Sequence, residues 1–504
     1  MPKERIASPT FQRKLMSAES AAELISDGDT IAIGGFGPPG TPKATPRALA
    51  RRAADFHERG EPFKVKMLGG ASSTPDVDGV LARADAVGFR LPYMADPDLR
   101  ARINAGTVPY IDMHLSRVAP WARAGFFGKV DVAIIEAALI RGDGGIVPTL
   151  AVGAAKTWLE MADKVIIEVN SWHSPEMEGM HDIWAGDIEG GNGQPLNISW
   201  AGDRIGGTAL HLDPGKIAAV VQTNESDLNV SFQGSEDASL IAGYIIEFLK
   251  HEVARGRLPA TLPPLQSGVG NIANAVMLGL LEAPFDNLTG YTEIIQDGMF
   301  DMLRAGKMKA ASTAALYLSK EPAELANSEM ALLRDKIVIR QQEVSNNPAV
   351  IRHLRCITLN SAIEADIYGN VNSSRMMGSR VHNGIGGSGD FARSAHLSFF
   401  MTPSTAKKGA ISAIVPMVAH VDHIDQDVQV MVTEQGLADL RGLSARQRAR
   451  VIIDNCAHPH YRPMLKDYLA RAEASPLGGG DTPLLLGEAL SWHQRFIEKG
   501  SMAV

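Results

Sequence analysis

Short β-branched runs alternate with helical stretches through the first half of the chain, and this alternation is the feature that most limits its fold. The runs lie at residues 29–33, 63–68, 130–135, 164–169 and 216–221. Each is apolar and bounded by turn-forming residues, which predicts a buried strand. Buried strands that alternate with helices are typical of parallel sheets covered by helices. We therefore expect an α/β fold with mostly parallel sheets.

A polar stretch at residues 224–227 interrupts this pattern and predicts a domain boundary. The order of strand, glycine turn and helix that begins the N-terminal region then recurs, with its second glycine turn at residues 268–270. At 504 residues the chain is also too long for one ordinary hydrophobic core. The prediction is one α/β domain at residues 1–223 and a second at residues 224–504.

A further correspondence between the halves suggests an internal duplication. Residues 131–144 and 360–371 both contain a buried strand, an acidic residue and a glycine turn. The alternative is chance resemblance among α/β units, which are built alike. If the halves are related, they form two open α/β domains, and the cleft between them is the expected active site.

The composition excludes several function classes. There are 49 Lys and Arg residues against 57 Asp and Glu, a net charge of -8, so we expect neither nucleic acid nor an anionic membrane as a partner. No stretch has the length of apolar sequence that a spanning helix needs, and the first residues lack the apolar core of a signal peptide. The only cysteines, Cys356 and Cys456, are far apart, which fits a reducing compartment. We expect a cytoplasmic protein.

The first glycine loop, Gly35-Phe36-Gly37-Pro38-Pro39-Gly40, matches the letters of the dinucleotide-binding pattern G-x-G-x-x-G. Such a loop binds a pyrophosphate through its backbone amides, but proline has no amide hydrogen to donate. The next strand also ends without the acidic residue that would bind a ribose. We therefore do not expect a nicotinamide or flavin site.

A second glycine-rich segment, residues 384–391, supplies backbone that a ligand can approach closely. Together with the turn at residues 268–270 it has the composition to present two amide hydrogens to one developing oxyanion. The alternative is a pair of tight turns between strands and helices.

Several ordered motifs give these loops a context. They are Gly268-Val269-Gly270-Asn271-Ile272-Ala273-Asn274, Tyr291-Thr292-Glu293-Ile294-Ile295-Gln296-Asp297-Gly298, Gln341-Gln342-Glu343-Val344-Ser345-Asn346, residues 364–372, residues 384–391 and residues 432–442. With them, the chain resembles the acetyl-CoA hydrolase/transferase family from the N-terminal glycine loop to Trp492-His493. The resemblance implies an α/β enzyme that uses coenzyme A as a substrate, needs no other cofactor and forms a homodimer.

The family resemblance implies a glutamate nucleophile in the Tyr-Thr-Glu motif, which here is Glu293. Its carboxylate attacks an acyl-CoA, forms a glutamyl-CoA thioester and passes CoA to a small carboxylate, with acetyl-, succinyl- and propionyl-CoA as the expected donors. Nucleophilic catalysis of this kind divides one difficult transfer into easier steps. The alternatives are an acetyl-CoA hydrolase, in which water is the acceptor, and a CoA-binding protein without turnover.

The resemblance also assigns roles to the remaining motif residues. The backbone amides of Val269 and Gly387 are expected to stabilise the oxyanion, and Glu434 to orient the nucleophile or a carboxylate. Residues expected to contact CoA are Gly268, Val269, Gly270, Asn271, Ile272, Asn346, Asn383, Gly387 and Lys407. Lys407 suits a phosphate because its ammonium is a cationic hydrogen-bond donor.

One position departs from the family pattern. In members that use succinate, an Arg is expected in the stretch aligned with Asp227-Leu228-Asn229, where it would pair with a carboxylate. This chain has Leu228. The departure favours monocarboxylates such as acetate or propionate over succinate.

Other residue clusters carry weaker signals. Cys456-Ala457-His458-Pro459-His460 and His420-Val421-Asp422-His423 contain metal-ligand residue types, but neither has the paired Cys-x-x-Cys of a zinc site, and we expect no metal. Residues 172–181 group aromatic, sulfur and imidazole side chains after a strand. That segment fits either an acyl pocket or an interdomain packing loop.

Overall fold

A computed structural model of the protein describes residues 4–186 and 194–503. The strands are β1 (Thr30–Phe36), β2 (Val65–Ala71), β3 (Val87–Leu91), β4 (Val132–Ile140), β5 (Ile146–Pro148), β6 (Lys164–Asn170), β7 (His181–Asp182), β8 (Ile217–Thr223), β9 (Leu265–Ser267), β10 (Leu288–Tyr291), β11 (Ile294–Ile295), β12 (Met308–Thr313), β13 (Ala315–Leu316), β14 (Ile337–Arg340), β15 (Ile357–Ser361), β16 (Glu364–Asp366), β17 (Val371–Asn372), β18 (Arg375–Met376), β19 (Arg380–Val381), β20 (Leu397–Met401), β21 (Thr405–Ala406), β22 (Ile411–Ser412), β23 (Ile414–Val415), β24 (Val430–Thr433) and β25 (Gly436–Asp439).

The α-helices lie before, between and after these strands. They are α1 (Pro9–Gln12), α2 (Ala18–Ala22), α3 (Ala44–Glu58), α4 (Val80–Arg83), α5 (Pro97–Asn104), α6 (Val118–Arg123), α7 (Ala155–Met161), α8 (Glu236–Ala254), α9 (Asn271–Glu282), α10 (Asp297–Arg304), α11 (Lys320–Ser328), α12 (Met330–Leu333), α13 (Gln342–Ser345), α14 (Pro348–Leu354), α15 (Ser388–Ser394), α16 (Ala445–Cys456), α17 (Arg462–Ala474) and α18 (Ser491–Lys499). Within the described residues, no helix has both the length and the apolar composition required to cross a bilayer.

The chain packs into two compact units, and each is built from separate stretches of sequence. The first unit comprises the described part of Met1–Ser231, together with Thr289–Leu354 and Asn383–Asp390. The second comprises Phe232–Leu288, Arg355–His382 and the described part of Phe391–Val504. The domain boundary after residue 223 stays a prediction, and so does the relationship between the two halves.

The first unit contains a sheet with the strand order β3-β2-β1-β4-β6-β8, and β5 pairs with β4. The neighbours along this order are parallel, whereas β5 is antiparallel to β4. Every residue of β1 and of β4 is buried, as expected for strands covered on both faces. All the predicted strands of the N-terminal region are present in this sheet.

The first unit also carries strands in the order β10-β12-β14-β7, in which β12, β14 and β7 run parallel. In the second unit the order is β25-β24-β20-β15-β9, parallel except for the antiparallel edge pair β24–β25. Apolar side chains of β16, β23, β24, α16 and α17 form a core in this unit. The α/β fold with mostly parallel sheets is therefore confirmed.

The N-terminal glycine loop leads into a helix whose first amides already have a partner. Glu168, a buried residue of β6, places its carboxylate at the start of α3. That carboxylate accepts hydrogen bonds from the backbone N–H groups of Lys43, Ala44 and Thr45, at 2.8, 3.0 and 2.6 Å. The N-terminus of a helix favours an anion, and here the chain supplies that anion from its own β6.

Candidate active site

Glu293 lies in the short link between β10 and β11, and its backbone is fixed by the next strands. Its carbonyl oxygen accepts hydrogen bonds from the backbone N–H of Ala314 at 3.0 Å and from the hydroxyl of Thr313 at 3.0 Å. The Ala315 N–H also donates to it, at 3.3 Å. A carbonyl with this many donors has little freedom to rotate, so the direction of the Glu293 side chain is set by the sheet.

Two N–H groups donate to the side-chain carboxylate of Glu293. The amide of Asn346 donates through Nδ2 to Oε2 at 2.8 Å. The backbone N–H of Gly387 is the second donor. A Cβ at position 387 would lie 1.6 Å from Oε2, so only glycine can bring its amide this close.

The orientation of the Asn346 amide is itself determined by neighbours. The hydroxyl of Ser345 donates to Asn346 Oδ1 at 2.9 Å, which leaves the NH2 group facing Glu293. Asn346 directly follows α13, and the hydroxyl of Tyr291 donates to the Val344 carbonyl of that helix at 2.6 Å. Two hydrogen bonds, from Tyr291 to Val344 and from Asn346 to Glu293, therefore join the two motifs.

The surroundings of Glu293 make its carboxylate unusually basic. Burial is the main cause and raises the pKa of Glu293 to about 7, and the nearby negative charge of Asp390 acts in the same direction. The hydrogen bonds from Asn346 and Gly387 oppose the shift but do not overcome it. A carboxyl group that titrates near neutral pH is the kind of group found at catalytic positions.

Tyr93, which none of the sequence motifs contains, lies near Glu293. Burial and the neighbouring charge of Glu293 raise the pKa of Tyr93 to about 12, so its hydroxyl stays protonated. Tyr317 also contributes to that shift, and the side chain of Asn383 hydrogen-bonds to Tyr93. Tyr93 comes just after β3, and residues beyond the carboxyl ends of parallel strands are where ligands bind in α/β folds. That position is the signal that could have identified it.

The structure places the predicted site residues in two groups. Glu293, Asn346, Asn383 and Gly387 lie in the first unit, where the contacts above bring them together. The second unit contains Gly268, Val269, Gly270, Asn271, Ile272, Lys407 and Glu434.

In the second unit, the glycine turn before α9 has a geometry that depends on glycine. Gly268 donates its N–H to the Leu359 carbonyl at 2.7 Å, and a Cβ on Gly268 would lie 2.7 Å from the same oxygen. Gly270 has φ 127°, which disfavours residues with a side chain. Val269 between them is 49% exposed.

Glu434 and Lys407 are held differently within the same unit. The Glu434 carboxylate accepts hydrogen bonds from the Ser404 N–H at 2.7 Å and from the Gln435 amide at 2.9 Å. Burial acts to raise the pKa of Glu434, but these bonds outweigh it and keep the pKa below the ordinary value. Lys407 is exposed, and its ammonium lies 5.1 Å from the ring centroid of Phe496.

A buried cluster in the first unit contains metal-ligand residue types. Glu136, His173 and Asp227 bring one ligand atom each within 4.8 Å of one another. The ammonium of Lys43 lies between the two carboxylates, 2.6 Å from Glu136 and 2.8 Å from Asp227. Lys43 therefore supplies the positive charge that these buried carboxylates require.

Comparison with known proteins places this geometry in a family. The model of the acetyl-CoA hydrolase/transferase N-terminal domain matches residues 2–221, and that of the C-terminal domain matches residues 328–469. The chain belongs to the acetyl-CoA hydrolase/transferase family. Succinyl-CoA:acetate CoA-transferase of Clostridium kluyveri is 46% identical over 99% of this chain and 92% of its own length. Propanoyl-CoA:succinate CoA transferase of Escherichia coli is 46% identical over 97% of this chain and 98% of its own.

Other relatives in the family carry a different name. Acetyl-CoA hydrolase of Schizosaccharomyces pombe is 39% identical over 99% of this chain and 98% of its own length. Among solved structures, RipA from Yersinia pestis covers 92% of this chain and 98% of its own, with a TM-score of 0.72 and 22% identity. The 4-hydroxybutyrate CoA-transferase from Porphyromonas gingivalis gives a TM-score of 0.63 with the same coverage and identity. These structures share the fold of this chain.

The contact between Gly387 and Glu293 predicts the effect of a single methyl group. We expect Gly387→Ala to displace the carboxylate and its amide donor, and to reduce turnover by roughly 100-fold or more, the range in which loss of one backbone donor falls. Turnover is measured as acyl-CoA consumption with acetate as the acceptor. Gly243→Ala, at an exposed glycine of α8 with open space around its Cβ position, is the control; equal losses in both variants would contradict the prediction.

The raised pKa of Glu293 predicts a pH-dependent effect on stability. Between the ordinary value of 4.5 and about 7, the folded state binds a proton that the unfolded state has released, so stability falls as pH rises. The resulting decrease in the free energy of unfolding reaches roughly 3 kcal/mol above pH 7. Glu293→Gln removes it, and we expect the thermal midpoint of the variant relative to the native chain to be higher at pH 8 than at pH 5.

The control for this measurement is Glu321→Gln, which removes a carboxylate that water already solvates on α11. Its midpoint relative to the native chain should be the same at both pH values. A Glu293→Gln difference that does not change between pH 5 and pH 8 would show that Glu293 is not held in a neutral form.

Proposed function

We propose that this chain is a CoA-transferase that moves CoA from acetyl-CoA or another small acyl-CoA to a small carboxylate, through a covalent glutamyl-CoA thioester on Glu293. The observation that carries the proposal is the basic carboxylate of Glu293, held against the N–H groups of Gly387 and Asn346. The names of the Clostridium kluyveri and Escherichia coli relatives support the same reaction class.

The reaction begins with attack by the Glu293 carboxylate on the thioester carbonyl of an acyl-CoA. The carbon–sulfur bond breaks, the CoA thiolate leaves and an acyl-glutamyl anhydride remains. The thiolate then attacks the glutamyl carbonyl, which releases the acyl group as a carboxylate and leaves glutamyl-CoA. A second carboxylate reverses these two steps and departs as its own CoA thioester, so Glu293 is regenerated. Dividing the transfer in this way replaces one difficult step by easier ones.

Gly387 and Asn346 have a role in this sequence that follows from their contacts. When the glutamyl carbonyl is attacked, negative charge develops on an oxygen that belongs to Glu293 itself. The donors that already face that carboxylate are in place to stabilise this oxyanion, with no rearrangement at the moment of reaction. The predicted role of the Val269 amide concerns the oxyanion on the acyl group and stays a prediction.

Further features of the function extend this proposal. Coenzyme A acts as a substrate, and the chemistry requires no other cofactor, because every bond change above is carried by carboxylates and a thiolate. The predicted CoA contacts of Lys407 and Asn271 are consistent with their exposed positions. A cytoplasmic location and a homodimeric state complete the proposal, the first from the cysteine content and the second from the family resemblance.

Hydrolysis is the second candidate, and the name of the Schizosaccharomyces pombe relative supports it. In a hydrolase, water attacks the anhydride or the glutamyl-CoA in place of a carboxylate. We prefer transfer for this chain because a glutamyl-CoA thioester from which water is excluded reacts with a carboxylate acceptor and is not hydrolysed. The two activities share Glu293 and differ only in the acceptor.

The covalent intermediate predicts a mass change that can be measured directly. We expect incubation with acetyl-CoA alone to add the mass of CoA, less one water, to the peptide that contains Glu293. Added propionate should discharge this adduct as propionyl-CoA. Glu293→Ala should abolish both the adduct and the exchange while retaining CoA binding, because the residue is expected to react with CoA and not to anchor it.

The outcomes separate the candidate functions. Rapid loss of the adduct as free CoA without an acceptor would identify a hydrolase, and the absence of any adduct with intact CoA binding would identify a binding protein. An active Glu293→Ala variant would exclude Glu293 as the nucleophile.

A small apolar pocket in the first unit suggests which acids are accepted. Leu150, Trp172, Leu228, Leu316 and Tyr317 contribute to its lining. Tyr317 of this pocket and Glu293 both act to raise the pKa of Tyr93. We propose that the wall of this pocket that includes Leu228 borders the acyl group, and that its apolar side chains favour acetate and propionate over succinate.

Introducing a charge into this wall predicts a change in acceptor preference. We expect Leu228→Arg to raise kcat/KM for succinate relative to propionate by roughly tenfold, since a charge-assisted bond to the distal carboxylate becomes available. The ratio is measured with acetyl-CoA as donor for propionate and succinate in parallel. Leu228→Met keeps the wall apolar and should leave the ratio unchanged; the same ratio in Leu228→Arg would exclude this wall as the selective element.

A further inference from the structure

The glycine-rich segment that carries Gly387 is held by hydrogen bonds on both sides of the glycine. The N–H of Ile385 donates to Asp112 Oδ1 at 2.9 Å. Beyond the glycine, the carboxylate of Asp390 accepts from the Ser116 N–H at 3.0 Å and from the Ser116 hydroxyl at 2.6 Å. All of these groups belong to the first unit, and Ser116 and Asp390 are buried.

The segment that contains Ser116 is fixed in turn to the helix of Asn346. The side-chain amide of Gln342 donates to the Leu115 carbonyl at 2.9 Å and to the Gly70 carbonyl at 3.3 Å. Gln342 begins α13, and Asn346 follows its last residue. Hydrogen bonds thus connect α13 to the segment of Ser116, and that segment to the glycine-rich segment. Gly387 of the glycine-rich segment and Asn346 next to α13 both donate to Glu293.

Hydrogen bonds that restrain the glycine-rich segment offset the flexibility of its backbone. Glycine segments lose more conformational entropy on ordering than any other sequence, and Gly386 beside the donor has φ 60°. A backbone N–H stabilises a developing charge only if it is already aimed at that charge, within about half an ångström. Gly387 therefore allows its N–H to approach Glu293 closely, but the flexibility of a glycine backbone also favours loss of that contact.

The carboxylate at the end of the segment is costly to bury. Desolvation raises the pKa of Asp390 to about 6, and Ser116 and the neighbouring charges of His114 and Arg117 act against that shift. An apolar side chain would avoid the cost, since a buried carboxylate needs several donors to be tolerated. The negative charge of Asp390 also acts on Glu293, because it raises the pKa of the Glu293 carboxyl group.

We propose that Asp390 and Ser116 are positioning residues, which hold the segment so that the Gly387 N–H stays directed at the Glu293 carboxylate, with Asp112 as the anchor on the other side. The inference rests on the proposed function for its kinetic consequence, but the restraint on the segment does not depend on turnover.

The first test measures the restraint itself. Asp390→Asn removes the charge at constant size, and Ser116→Ala removes the hydroxyl donor. We expect both variants to exchange backbone hydrogen for deuterium at least about threefold faster in peptides covering residues 384–390. Ser374→Ala is the matched control, because the Ser374 hydroxyl makes the same bond to a carboxylate, that of Asp422 at 2.8 Å, in the second unit. Unchanged exchange in the two variants would overturn the proposal whether or not the chain is a transferase.

The second test measures the consequence for chemistry. We expect both variants to lower kcat by roughly tenfold or more and to change KM for acetyl-CoA by less than about threefold, since the donor acts on the transition state. Ser374→Ala should retain the native kcat. Faster exchange with a native kcat would refute the positioning role, whereas a native chain that forms no CoA adduct would refute the proposed function alone.

A third readout uses the charge of Asp390. Asp390→Asn and Ser116→Ala both loosen the segment and so weaken the Gly387 donor, but only Asp390→Asn also removes a negative charge that disfavours the ionised form of Glu293. We therefore expect the acidic limb of the kcat/KM profile to lie at lower pH in Asp390→Asn than in Ser116→Ala. An acidic limb at the same pH in both variants would contradict the proposed electrostatic contact.

Discussion

The structure of the site depends on one interaction, the contact of the Glu293 carboxylate with the N–H groups of Gly387 and Asn346. A carboxylate away from bulk water is unfavourable, and these donors compensate it only in part, so the pKa remains near neutral. The contact also demands glycine at position 387, because no side chain fits between the backbone and Oε2. The basicity of Glu293 and the glycine at position 387 are thus two results of the same geometry.

The two donors have opposite effects at different stages of the proposed reaction. In the resting enzyme they stabilise the carboxylate and so reduce its nucleophilicity. When the glutamyl carbonyl is attacked they stabilise the oxyanion, where the benefit counts toward rate. Burial and the charge of Asp390 act against the first effect and keep Glu293 basic. The environment therefore combines a reactive carboxylate with a preorganised site for the charge that it later carries.

The N-terminal glycine loop shows how the same local pattern can serve a different purpose. Its letters match a dinucleotide-binding loop, and it does lead from a parallel strand into a helix. The start of that helix, however, binds the carboxylate of Glu168 through consecutive backbone amides. Because Glu168 already accepts hydrogen bonds from these amides, this helix start has a structural role and attaches α3 to β6. The prolines of the loop had indicated the same conclusion, since they have no amide hydrogen to donate.

The sequence by itself determined the parallel α/β architecture, because β-branched runs between helical stretches allow few other folds. Its motifs also predicted Glu293, Asn346 and Gly387 as site residues, through the resemblance to a known family. The restraint on the glycine segment was decided only by the tertiary structure. Ser116 and Asp390 are 274 residues apart, and neither lies in a pattern that predicts the other. Periodicity and local motifs report neighbours along the chain, whereas a hydrogen bond between distant residues exists only after the sheets have brought them together.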